Sequence, residues 1–219
     1  VVVTGSGRFT DCIDCGVGKY VETAGSRQAS DCIDCAAGTY VSVTGSDEAN
    51  DCIACPAGTY VQVVGSDEVS DCIGCVAGTY VETTGSDEAS DCIDCADGTC
   101  VDETGNDEAT DCIACPAGRA GVSGVCAISC VPGTQPNANR TFCSACAEGY
   151  HSATGSACIE CSAPGLFTSD HVGCVPCADG SMPNSGRSAC GPCPAGQAGQ
   201  HGICSQCPLA TQPWAVIAD

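Results

Sequence analysis

The sequence predicts small disulfide-rich repeats: an elongated, β-poor ladder of short strands, rod- or solenoid-like, with little or no helix. Three observations predict this. Cysteine supplies 25 of the 219 residues, a density that marks a disulfide scaffold. Large apolar side chains are scarce: Leu166 and Leu209 are the only leucines, and Trp214 is the only tryptophan. A core of that size cannot offset the entropy of ordering so long a chain, so cross-links must replace it. The third observation is a strict internal period.

Residues 1–115 repeat every 20 residues as Asp-Cys-Ile-x-Cys-x-x-Gly-Thr-Tyr-Val-x-x-x-Gly-Ser-Asp-Glu-x-Ser. The first cysteine recurs at Cys12, Cys32, Cys52, Cys72, Cys92 and Cys112. The second recurs at Cys15, Cys35, Cys55, Cys75, Cys95 and Cys115. One unit therefore stacks on itself by a constant operation. Within it, Cys-x-x-Gly reads as a tight turn in which glycine takes a backbone angle that other residues resist. Thr39-Tyr40-Val41-Ser42-Val43 and its counterparts are β-branched and aromatic and read as short strands. Gly45-Ser46 turns the chain, and Asp47-Glu48 begins a solvated return to the next cysteines. Tyr20, Tyr40, Tyr60 and Tyr80 are expected to pack against a disulfide.

After residue 115 the spacing shortens and varies. Cys130-Val-Pro-Gly-Thr-Gln-Pro-Asn-Ala-Asn-Arg is echoed by Cys177-Ala-Asp-Gly-Ser-Met-Pro-Asn-Ser-Gly-Arg. The expected organisation is two repeat regions, 1–115 and 116–219, with no linker between them.

Connectivity cannot be read from sequence alone, but one serial scheme fits: each Cys-x-x-Gly cysteine pairs with the next cysteine that closes its loop. The first region then carries Cys15–Cys32, Cys35–Cys52, Cys55–Cys72, Cys75–Cys92 and Cys95–Cys112. The second carries Cys115–Cys126, Cys130–Cys143, Cys146–Cys158, Cys161–Cys174, Cys177–Cys190 and Cys193–Cys204. Each loop contributes roughly 3 kcal/mol in the chain-entropy picture. The alternative closes each Cys-x-x-Cys on itself in a strained ring that staples nothing distant.

The serial scheme leaves Cys12, Cys100 and Cys207. The first and last suggest modules cut at both ends, and a parent chain continuing in both directions. Cys100 stands where four earlier units carry tyrosine. An odd cysteine in a secreted chain suggests an intermolecular bridge, with a buried thiol as the alternative.

Charge is uneven. Residues 1–115 hold 22 of the 27 acidic and three of the six basic side chains, a net of −19, and residues 116–219 hold a net of −2. Such a field repels nucleic acid and anionic membranes. No stretch approaches the ~20 apolar residues of a membrane span. The disulfides require an oxidising, extracellular setting.

Cys55-Pro56-Ala57-Gly58-Thr59-Tyr60, closed by Asp71-Cys72-Ile73-Gly74-Cys75, resembles the ephrin-receptor-like cysteine-rich repeat of protist and algal surface proteins. It is similar in outline to the first half of tumour-necrosis-factor-receptor modules. The resemblance implies a mostly irregular β-ladder with serial disulfides outside the cell. Repeats of this regularity also resemble the shafts of flagellar hairs (mastigonemes) and other extracellular filaments.

Other chemistries are weighed against that reading. Cys-x2-Cys-x16-Cys-x2-Cys also matches zinc-ribbon spacing, yet six equally spaced pairs form a ladder rather than closed groups of four. Redox catalysis needs one activated pair, and acidic neighbours such as Asp11 and Asp14 raise thiol pKa instead. No cofactor is called for, with Ca²⁺ the one ion to consider, since it takes about six to eight oxygens. Its candidate ligands are Asp47, Glu48 and Asp51, then Asp67, Glu68 and Asp71, then Asp87, Glu88 and Asp91; a solvated charged face is the commoner meaning of such clusters. Asn139-Arg140-Thr141 is an N-glycosylation sequon. His151, His171 and His201 lack ligand spacing, and no catalytic triad or phosphate loop is present.

The function expected is therefore non-enzymatic. The chain reads as a structural subunit of an extracellular filament or surface appendage, whose partners are other copies or other extracellular structural proteins. The alternative is the stalk or ectodomain of a cell-surface receptor or adhesin that binds a protein or glycan. Exact repetition and the absence of an aromatic or apolar hot-spot patch favour the filament.

Overall fold

The computed structural model describes residues 13–207; Cys12 lies outside them. The chain forms two compact units. One runs to Cys115 and includes Gly121–Cys126; the other comprises Pro116–Ala120 and the chain from Ala127 onward.

In the first unit every repeat builds the same hairpin. Thr39–Tyr40 pairs antiparallel with Ile53–Ala54, in the register Tyr40 opposite Ile53. Lys19–Tyr20 pairs likewise with Ile33–Asp34, Thr59–Tyr60 with Ile73–Gly74, Thr79–Tyr80 with Ile93–Asp94, and Thr99–Cys100 with Ile113–Ala114. The strands are shorter than the sequence suggests because the chain leaves its own hairpin after the tyrosine. Val41 then donates its N–H to Ser66 of the following repeat at 3.1 Å, and Tyr40 forms a single parallel bridge with Ser66.

That step recurs. Gly18, Gly38, Gly58 and Gly78 donate to Val41, Val61, Val81 and Val101 at 2.8 Å. Gly45, Gly65, Gly85 and Gly105 donate back to Cys15, Cys35, Cys55 and Cys75 at 2.8 Å. Backbone groups unused within one two-residue hairpin are thus satisfied by the next repeat, as buried peptide groups must be. Contact also reaches two repeats along: Gly38, at φ +83°, lies with its α-carbon against the backbone carbonyl of Gly85.

Disulfides fill the place of a core. Cys15–Cys32, Cys35–Cys52, Cys55–Cys72, Cys75–Cys92 and Cys95–Cys112 each span a sequence separation of 17. The opening cysteine of each loop is buried, together with one valine per repeat at Val41, Val61 and Val81. The return segment forms a single 3₁₀ turn, Ala49–Asp51 in one repeat and Val69–Asp71 in the next.

The second unit uses the same hairpin with shorter loops. Thr134–Pro136 pairs with Cys143–Ala145, and Ser181–Pro183 pairs with Cys190–Pro192. Its bridges are Cys130–Cys143, Cys146–Cys158, Cys161–Cys174, Cys177–Cys190 and Cys193–Cys204. Within the described residues, no helix is long and apolar enough to cross a membrane.

Candidate functional site

The acidic loops are organised by their own backbone. Asp51 Oδ2 accepts the N–H of Asp47 at 3.0 Å and of Glu48 at 3.2 Å. Asp71 does the same for Asp67 and Glu68, and Asp91 for Asp87 and Glu88. Each aspartate is the last residue of its 3₁₀ turn and reaches back to the two backbone N–H groups just before the turn, a capping arrangement. Glu68 and Glu88 accept the hydroxyls of Ser70 and Ser90. What the sequence suggests as a solvated return is a capped turn, legible in retrospect as a carboxylate three residues after Glu48.

The isoleucine between the two cysteines of each junction faces solvent. Exposure is 46% at Ile33, 52% at Ile53, 54% at Ile73, 53% at Ile93 and 65% at Ile113. A two-residue hairpin has no second layer to cover this side chain. One isoleucine is therefore offered per repeat, carried along by the same hydrogen-bonded step.

Cys100, expected either in an intermolecular bridge or as a buried thiol, lies inside its own unit. Its side chain is buried, and its sulfur meets Cys126 of the same unit, which is also the partner of Cys115. The three sulfurs lie within 4.8 Å of one another. The repeat geometry explains the encounter. Tyr20 bridges Ser46, Tyr40 bridges Ser66, Tyr60 bridges Ser86 and Tyr80 bridges Asn106. Cys100 and Cys126, at a separation of 26, are the next pair in that series.

In the second unit, His151 Nδ1 stands 3.0 Å from the sulfur of Cys174 and 3.8 Å from that of Cys161, beside their disulfide. Arg187, whose role sequence reasoning passed over, ties the repeats of this unit together. Its Nη1 donates to the carbonyl of Ala163 at 2.8 Å and to that of Cys161, and its own carbonyl accepts the N–H of Thr168. Asp170 Oδ1 accepts the N–H of Val172 at 2.9 Å and the hydroxyl of Thr168 at 3.3 Å. Backbone donation from Val172, then from Gly173, holds its carboxyl below the ordinary aspartate value. Asn139 is exposed in a turn, and Thr141 of its sequon donates its N–H to Asn137 Oδ1 at 2.7 Å. Cys207 is exposed and carries no disulfide.

Residues 29–72 and 45–92 match the family model described as tyrosine-protein kinase ephrin type A/B receptor-like. No curated protein matches the chain. The matched segments are the hairpin-and-bridge repeats whose geometry is given above, and their dense disulfides require an oxidising compartment. The repeats between residues 29 and 92 are thus similar to ephrin-receptor-like cysteine-rich repeats.

Proposed function

We propose that the chain is a structural subunit of an extracellular filament or surface appendage, engaging further copies of itself through its repeated face. One observation carries the reading: the exposed isoleucine recurs in every 20-residue unit, at Ile33, Ile53, Ile73, Ile93 and Ile113. A partner that matches a periodic surface along its length must itself be periodic, and a second copy is. The acidic charge sets the condition for assembly. With a net of −19 on residues 1–115, copies repel one another at low ionic strength, and salt screens that repulsion.

Sedimentation velocity across a salt series tests this. Wild-type protein is expected to associate as ionic strength rises. A variant carrying Ile53→Ser, Ile73→Ser and Ile93→Ser is expected to stay monomeric with its circular dichroism unchanged. Wild-type protein that remains monomeric at physiological salt and high concentration overturns the filament reading. It would favour the second one, a receptor or adhesin stalk that binds a protein or glycan, which the receptor-like family match supports. Asn139 is proposed to carry an N-glycan in either case, read as a mass shift on glycosidase treatment.

A further inference from the structure

The meeting of Cys100, Cys115 and Cys126 has a chemical consequence. Two bridges are geometrically ready at one sulfur. The α-carbons of Cys100 and Cys126 are 5.8 Å apart, and those of Cys115 and Cys126 are 5.5 Å apart. Both values fall in the ordinary disulfide range, so neither bond asks the backbone to move. Both pairings also have a place in the repeat. Cys115–Cys126 closes the loop that follows a Cys-x-x-Gly turn, as Cys95–Cys112 does one unit earlier. Cys100–Cys126 is the covalent counterpart of the bridge that joins Tyr80 to Asn106.

We infer that these three cysteines form an intrachain thiol–disulfide exchange site that shuttles one disulfide between Cys115–Cys126 and Cys100–Cys126. In the forward step the Cys100 thiolate attacks Cys126 Sγ. A Cys100–Cys126 bond forms, the Cys115–Cys126 bond breaks, and its electron pair leaves on Cys115 Sγ, which takes up the proton that Cys100 gave up. One disulfide and one thiol stand on each side, so no oxidant or reductant is consumed. The exchange changes what is stapled. In one isomer the 115–126 loop is closed on itself. In the other it is locked to the strand Thr99–Cys100 of the preceding repeat. Cys100 and Cys115 are buried while Cys126 is half-exposed, which shields the attacking and leaving sulfurs from outside thiols.

The test is non-reducing peptide mapping of the intact chain after acid quench and alkylation, with cleavage between the three cysteines. Wild-type protein is expected to yield both Cys100–Cys126 and Cys115–Cys126 linked peptides. Cys115→Ser is expected to retain the Cys100–Cys126 link in full. Cys100→Tyr, which installs the residue of the four earlier repeats and so keeps the fold, is expected to lose that link and retain only Cys115–Cys126. A single Cys115–Cys126 species in wild-type protein, with Cys100 wholly alkylated, overturns the proposal. So does a Cys100-linked dimer, or a metal ion held by the three thiolates. These readouts are independent of filament assembly.

Discussion

Gly38 lies against the carbonyl of Gly85, two repeats further along the chain. The contact makes each repeat of the first unit a neighbour of the next but one, and it leaves no room for a side chain. A methyl at Gly38 would meet that carbonyl and would also sit on a backbone at φ +83°, a region disfavoured for residues with a β-carbon. Gly38→Ala is expected to destabilise the first unit by about 2 kcal/mol, measured by chemical or thermal unfolding. Gly16→Ala is the control: nothing lies within 4 Å of its added carbon, and it should be close to neutral.

Asp51 is expected to act as a turn cap. Removing its carboxylate in Asp51→Ala leaves the N–H groups of Asp47 and Glu48 without their acceptor, at a cost of about 1 kcal/mol. Asp51→Asn should recover part of it. The same variants decide the calcium question for Asp47, Glu48 and Asp51. With Asp51 Oδ2 already engaged, millimolar Ca²⁺ is expected to leave the melting temperature of the wild type unchanged. A rise that Asp51→Ala abolishes would establish an ion in this loop.

Asp170 gives the second unit a dependence on acid. Its carboxyl is held below its ordinary value by donation from the Val172 backbone. The resulting stabilisation is present above the unfolded-state pKa and is lost as pH falls through the lower folded value. Protection of the Val172 amide, measured as its exchange rate relative to the intrinsic rate at each pH, is expected to fall on acidification through that window. Asp170→Asn should flatten the response.

The sequence carried the fold in its cysteines and glycines because both recur by a constant step, and a periodic signal survives without knowledge of the packing. Strand length was less legible. Thr39 to Val43 is uniformly β-prone, yet Val41 bonds to Ser66 of the next repeat, a choice made by stacking rather than by local propensity. The acidic loops looked like solvated charge, although the Asp residue after each Asp-Glu pair caps a turn. Cys100 looked unpartnered because its neighbour is 26 residues away, a distance that only the recurring Tyr–Ser bridge makes meaningful. Arg187 was visible only as the last residue of an echoed motif, and its role was not, since its acceptors are backbone carbonyls.

The central claim is that serial bridges between neighbouring junctions, rather than a core or a metal, hold the repeats in register. Non-reducing peptide mapping of the first unit tests it most directly. The account predicts Cys35 linked to Cys52, Cys55 to Cys72 and Cys75 to Cys92, with the repeats losing protease resistance on reduction. Bridges closed within one junction, such as Cys52 to Cys55, or zinc recovered with the native protein, would contradict it.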